Sequence, residues 1–243
     1  RSLSLTDTGH SLLPKAKEIV QLVNDTRLSM RNMNHKVEGS LKLGTSHHIG
    51  LHRLPPYLKS FSSQFPYAEL NLSFMGSESA YKAVAQRQVE LALTTLETSN
   101  NNYSPEGIIS EVLWHDEMIF VCSAEHPLNQ LNNVELKNLS DYPAILPESN
   151  TFTFKLLVEQ FRQQGLILRS PMPTNYLETI KMLVSVGLGW SLLPKSMLDN
   201  AEEVGLIELN INKISLTRPL GFLYLQDRTL SNAAKAFIAL IKA

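Results

Sequence analysis

The sequence predicts an α/β protein of two lobes preceded by one long helix. Three observations carry this. Apolar residues between positions 12 and 37 recur at alternating steps of four and three. From position 41 onward, short strand-like and helix-like segments alternate, the order that builds parallel strands joined by crossover helices. Finally, two long strand-like stretches, 112–122 and 220–226, are the only natural bridges between two groups of these segments.

The chain opens on Arg1-Ser2-Leu3-Ser4-Leu5, read as the tail of a strand, and an N-terminal piece is expected ahead of it. Thr6-Asp7-Thr8-Gly9 then supplies capping side chains for a helix. Along that helix Leu12, Ala16, Ile19, Val23, Thr26, Met30, Met33 and Val37 form a seam of heptad spacing, with Lys15, Asp25, Arg27 and Arg31 on other faces. Such a seam predicts a coiled-coil linker that pairs with another copy; a helix docked on its own domain is the plainer alternative. Gly39 suits a helix stop, placing the end near Glu38. Pro14 lies near the start, where it can kink the helix.

Strands are expected at 41–44, 69–74 and 91–94, with helices at 54–65 and 80–88 between them. A strand-rich stretch at 111–123 leads into a second unit. That unit has a helix from Val134, a strand at 144–146, helices at 152–164 and 177–186, and a strand at 189–193. A strand at 218–226 and an amphipathic helix at 231–242 close the chain. The expected organisation is a linker over 1–38, one lobe over 41–112 plus 219–243, and a second, inserted lobe over 113–218. Two lobes joined by two crossing strands form a cleft that closes on a small ligand by hinge motion.

Composition narrows the function. With 43% apolar and 19% charged residues and a net charge of −1, nothing pulls the whole chain onto nucleic acid. No apolar run reaches the roughly 20 residues of a membrane span, no signal peptide is visible, and a cytoplasmic protein is expected. A single cysteine, Cys122, excludes an internal disulfide and a cysteine-based zinc site. No P-loop or dinucleotide-binding glycine fingerprint is present, and Ser185-Val186-Gly187-Leu188-Gly189 has its serine misplaced for a nucleophile elbow, so no enzyme is expected.

Several ordered motifs resemble LysR-type transcriptional regulators. Leu5-Thr6-Asp7-Thr8-Gly9 followed by Leu12-Leu13-Pro14 is similar to the segment after that family's DNA-binding wing. Gly39-Ser40-Leu41-Lys42-Leu43-Gly44 resembles the entry to its sensing domain. Leu54-Pro55-Pro56-Tyr57-Leu58 with Phe61 and Phe65-Pro66, then Val89-Glu90-Leu91-Ala92-Leu93, then His126-Pro127-Leu128 follow in family order. Val184 to Pro194, with Gly187 and Gly189, completes the series. The resemblance implies a Rossmann-like, periplasmic-binding-protein-like effector domain behind a linker helix. It further implies a homodimer or homotetramer, and DNA binding through a winged helix-turn-helix ahead of Arg1. Effector binding would alter DNA bending and contact with RNA polymerase. A solute-binding protein of the same two-lobed fold is the alternative.

Ligands of open α/β sheets bind beyond the carboxyl ends of strands. Those positions hold Thr45, Ser46 and His47; Ser77 and Glu78; Thr94 and Thr95; Glu148, Ser149, Asn150 and Thr151; and Asn175. The resemblance independently points to Ser46, His47, Thr95, Ser149 and Asn175. Thr45, Ser46, Ser149 and Thr151 also suit plain helix caps. Glu78 is expected either to turn small acids away or to face solvent. His48 and His52 lie four apart, as metal-binding histidines on a helix do. No acidic or cysteine ligand adjoins them, so no metal is expected; His115 and His126 are read as structural, and Cys122 as an inert strand thiol.

Overall fold

The computed structural model describes residues 4–97, 107–198, 205–211 and 214–243, apart from the side chains at positions 14, 17 and 21. The expected strand at the start has only its last residues in this range, and these are not strand.

Helix α1 spans Asp7–Asn32, and the Thr6 hydroxyl caps it by accepting the Gly9 N–H at 3.1 Å. The helix stops at Asn32, six residues before the expected end. Asn34 turns the chain by accepting the Lys36 N–H on its side-chain oxygen, and His35 adopts a left-handed φ of 54°, which ends a right-handed helix. Asn32 also bolts the foot of the helix down: its amide donates to the Leu230 carbonyl, and its oxygen accepts the Asn232 N–H. Val37 therefore leaves the seam and lies half-buried against the core of the first lobe. The remaining apolar positions stand uncovered within the chain; Ile19 is 65% exposed and Met30 68%.

In the first lobe β1 (Gly39–Thr45) lies between β2 (Ala68–Phe74) and β3 (Leu91–Thr95), parallel to both. The helices α2 (His47–His52), α3 (Pro55–Gln64) and α4 (Ser77–Ala85) provide the crossovers. Leu41, Leu43, Leu91 and Leu93 pack with Phe61 of α3 and Phe237 of α8 (Asn232–Lys242). Ala92, Leu223 and Leu225 face Tyr81 and Val84 of α4 on the other side. Strands covered on both faces read as near-continuous apolar runs, which is why 91–93 shows no alternation.

Two long strands join the lobes. β4 (Ile108–Ser123) and β7 (Leu216–Leu225) run antiparallel from Ile108 opposite Leu225 to Met118 opposite Leu216, with an irregularity between Val112 and Trp114. β7 also pairs with β3. The far end of β4 carries β5 (Ser191–Pro194) and β6 (Leu206–Leu209), both antiparallel to it. Around it stand α5 (Leu136–Ser140), α6 (Phe152–Gln163) and α7 (Leu177–Ser185). Alternation along β4 sends Met118, Phe120 and Cys122 towards Phe161 and Trp190, and Ile119 and Val121 towards Ile180 and Val184. The expected strand at 144–146 is reduced to a single bridge, Ala144 to Trp190; Pro143 and Pro147 flank it and withhold two backbone donors. The expected helix at Val134 begins two residues later, and β6 has no counterpart among the expected strands.

Gly221 allows the crossing strands to approach. A Cβ there would collide with the Glu111 carbonyl across the ladder.

Candidate functional site: a cleft between the lobes

A cavity of about 510 Å³ opens where the strand ends of both lobes converge. The first lobe contributes Ser46, His47 and His48 after β1, Phe74 to Ser79 after β2, and Thr95 after β3. Pro147, Glu148, Asn150 to Thr153 and Pro173 to Leu177 face them from the second, and Arg218 of β7 lies between.

The structure thus brings Ser46, His47, Ser77, Glu78, Thr95, Glu148, Asn150, Thr151 and Asn175 to one cavity. Thr45, Thr94 and Ser149 fall outside it. Successive strand residues face opposite ways, so of each threonine-bearing pair only Ser46 and Thr95 look into the cleft. Thr45 is buried, its hydroxyl donating to the Leu93 carbonyl at 3.0 Å. Ser149 lines a neighbouring depression with Phe154, Leu168 and Ser170. Thr151 does cap α6, accepting the Phe154 N–H at 3.3 Å, whereas Ser46 makes no side-chain cap to α2 and its hydroxyl stays free of that role. Asn175 accepts the Glu148 N–H at 2.9 Å, tying the two loops of the second lobe together.

The floor of the cleft is ionic. Asp116 of β4 and Arg218 of β7 are directly paired across the ladder and both are buried. Asp116 receives Arg218 at 3.0 Å and Arg53, which follows α2, at 2.6 Å. Arg218 also donates to the Thr153 hydroxyl at the start of α6, at 3.3 Å. Burial pushes the Asp116 carboxyl up, but His48 and the two guanidinium groups outweigh it and hold it well below the carboxylate range. Burial likewise holds His48 below its ordinary 6.5, despite Asp116 nearby. The His48 Nε2 faces Asp116 at 3.4 Å, outside good hydrogen-bond geometry, and among the described residues Nδ1 has no partner.

Several contacts span the cleft, among them the Tyr81 ring of α4 edge-on to Phe152 of α6 at 5.6 Å. Glu78 at the start of α4 accepts the Phe152 N–H of α6 at 2.7 Å. His52 of α2 meets Glu178 of α7 at 2.7 Å. The His47 ring lies edge-on to Tyr176 at 4.9 Å and tilted on Phe74 at 5.3 Å. Glu78 therefore neither points freely to solvent nor stands loose at the mouth. His52 is taken up by its carboxylate, and among the described residues no group of three or more His, Cys, Asp or Glu is placed to hold a metal. His126 is buried and accepts the Leu128 N–H on Nδ1.

Sequence reasoning missed Asp116, Arg218, Thr153, Phe74 and Tyr176 as parts of this site; His48, which follows β1, lines it as well. One signal was available for the ion pair: Asp116 lies within a stretch expected to bridge the lobes, and Arg218 heads the strand expected over 218–226.

The comparisons agree with this architecture. The family model described as the LysR substrate binding domain matches residues 34–243. The HTH-type transcriptional regulator CysL of Bacillus subtilis (strain 168) is 25% identical over 246 residues, covering 100% of this chain and 80% of that protein. Among solved structures, the effector-binding domain of QuiR in complex with shikimate superposes with a TM-score of 0.73 at 20% identity, covering 84% of this chain and 95% of that one. The Synechocystis CcmR regulatory domain in complex with 2-PG gives 0.73 at 19%, covering 84% and 96%. These two share the fold. Among the described residues no helix is long and apolar enough to cross a membrane. With more than half its length matched by that family model, the chain belongs to the LysR substrate-binding domain family.

Proposed function

We propose that this chain is the effector-sensing and oligomerising part of a LysR-type transcriptional regulator of the cytoplasm, without catalytic activity of its own. Its lobes comprise 41–112 plus 219–243 and 113–218, and a small molecule binds between them against Ser46, His47, Ser77, Glu78, Thr95, Glu148, Asn150, Thr151 and Asn175. The observation that carries the reading is the pairing of a polar interlobe cleft with a helix whose apolar side is exposed among the described residues. A solute-binding protein has no use for such a stalk, and the family match does not favour that alternative.

In this reading the α1 seam of Leu12, Ala16, Ile19, Val23, Met30 and Met33 pairs with a second copy, giving a dimer or tetramer. DNA is engaged through a helix-turn-helix ahead of Arg1, and RNA polymerase through the assembled regulator. The effector acts by favouring one lobe arrangement over another, which repositions the paired helices.

Two measurements test it. Sedimentation of the wild-type chain at micromolar concentration gives a dimer or larger species. Replacing Ile19 and Val23 together by glutamate gives a monomer, since each large seam side chain contributes roughly 1.5–3 kcal/mol on burial. A wild-type monomer overturns the stalk assignment. A thermal-shift screen of metabolites then identifies the effector, because a ligand bound only to the folded form raises Tm with occupancy. If no metabolite binds, the sensing role is lost.

A further inference from the structure

We propose that Asn32 and Asn232 lock the stalk α1 to the first lobe as one rigid body, so that lobe closure swings the stalk against the second lobe. The inference rests on α1 serving as the stalk of the sensor, and names the lobe that carries it.

The connection from α1 to β1 is short, running over 33–38. Its turn is held by the Asn34 side chain on the Lys36 N–H, and Val37 packs into the core of the first lobe. Hydrogen bonds then cross from this segment to the head of α8. Asn32 donates its amide to the Leu230 carbonyl at 2.9 Å and accepts the Asn232 N–H on its side-chain oxygen at 3.0 Å. The Asn232 amide donates to the Asn32 carbonyl at 3.2 Å and to the Lys36 carbonyl at 3.0 Å. Each amide carries two donor hydrogens and an acceptor oxygen, so the pair can bond in several directions at once. A joint so made resists swinging as well as stretching, which a single bond would not.

Helix capping does not account for the pair. Ser231 already caps α8, accepting the Ala234 N–H at 3.0 Å, which leaves the Asn232 amide free to reach α1. The same Ser231 donates its N–H and its hydroxyl to the buried Glu90 carboxylate. Glu90 immediately precedes β3, and its own N–H bonds the Lys42 carbonyl of β1. From the stalk the path therefore runs through Asn32, Asn232, Ser231 and Glu90 into β3, whose last residue, Thr95, lines the cavity. Each step is a hydrogen bond or a paired strand, the kind of contiguous network that carries coupling between distant parts. The second lobe hangs on β4 and β7 instead, and hinge motion about those strands leaves the joint intact.

Pulsed electron spin resonance on the whole chain measures the joint. Nitroxides at Glu18→Cys and Gln64→Cys, the latter at the end of α3, report the stalk against the first lobe. Glu18→Cys with Gln163→Cys of α6 reports it against the second. Diluting labelled chain in unlabelled chain restricts the distances to one molecule, and Cys122 is buried and takes no label. From Asn32 to Glu18 the helix is a lever of about 21 Å, so a swing of about 20° moves the label by roughly 7 Å. The distribution between 18 and 64 is narrow in the wild-type stalk, and that between 18 and 163 is broader. Asn32→Ala with Asn232→Ala widens the first about twofold or more, as a freed lever does, while Tm checks that the variant folds. If the double variant fails to fold, Asn232→Ala alone, which leaves the Ser231 cap and the Asn32–Leu230 bond in place, widens it in the same sense. A folded variant as narrow as wild type, a wild type already as broad as the variant, or a stalk held more narrowly to 163 than to 64 overturns the inference. A wild-type chain that sediments as a monomer would instead remove the pairing of α1 and leave these distances within one chain as they are.

Discussion

Replacing Asp116 by asparagine probes the ionic floor on the two strands that join the lobes. The substitution keeps the side chain's volume and removes its charge. Asp116 is 2% exposed and holds two guanidinium groups, Arg218 and Arg53. After the change an amide N–H₂ faces donors, and two cations face each other with no counterion. Arg53 can relax outward, because its side chain is 25% exposed and already lies over the Trp114 ring at 5.1 Å. Arg218, 8% exposed, cannot. Removing one partner of a buried pair costs about 3–5 kcal/mol, and the freedom of Arg53 puts this case near the lower end. For a chain of this length that lowers Tm by about 6–12 °C.

Urea unfolding at pH 7 measures the loss, and its pH dependence isolates the cause. A carboxyl held below its ordinary 3.8 stabilises the fold above that pH and loses the contribution as pH falls further. A histidine held below 6.5 by burial acts in the same direction, since the unfolded chain takes up its proton first. Wild-type stability therefore declines from about pH 6.5 downward and more steeply below about 4, while Asp116→Asn loses only the lower limb. Replacing both partners, Asp116→Leu with Arg218→Met, recovers most of the loss, because no buried charge is stranded at that pair. A single variant within about 1 kcal/mol of wild type, or a double variant worse than the two singles combined, refutes this account.

Gly221→Ala is expected to cost about 3 kcal/mol or prevent folding. The added methyl meets the Glu111 backbone, which no change of rotamer can move; an unchanged urea midpoint counts against so close a crossing. The Cys122 thiol is buried and pushed up to about 11. At pH 8 roughly one molecule in a thousand carries a thiolate, so Ellman's reagent reacts only as the chain unfolds. Rapid labelling of folded protein would place that strand end in solvent.

What the sequence made legible was what short-range rules control. The Thr6 cap, the body of α1 and the parallel strands of the first lobe follow from spacing over a few residues. The end of α1 does not, because Asn32 is anchored to Leu230 and Asn232 from the other end of the chain. Strand ends led to nine of the twelve expected ligand residues lining one cavity, but which member of Thr45-Ser46 or Thr94-Thr95 faces inward depends on strand register. The ion pair was hidden for a similar reason. Asp116 and Arg218 lie 102 positions apart and meet only because β4 and β7 align them.

That alignment also places the cleft's chemistry on the strands that join the lobes. From Asp116 the polar path runs through Arg218 to Thr153 at the head of α6, and the neighbouring Phe152 N–H returns to Glu78 in the first lobe. A ligand that engaged Glu78 would act on one of the contacts that seat α6 against the other lobe, beside the packing of Phe152 on Tyr81. It shifts the lobe equilibrium only by the difference in its affinity for the seated and unseated arrangements. If Glu78 keeps Phe152 while accepting a cation, that difference favours closure; a ligand that takes the Phe152 N–H from Glu78 drives the lobes the opposite way. Ligand charge therefore sets the sign of the response, and distances between the lobes of the folded chain, measured with amine and with acid, would move in opposite directions.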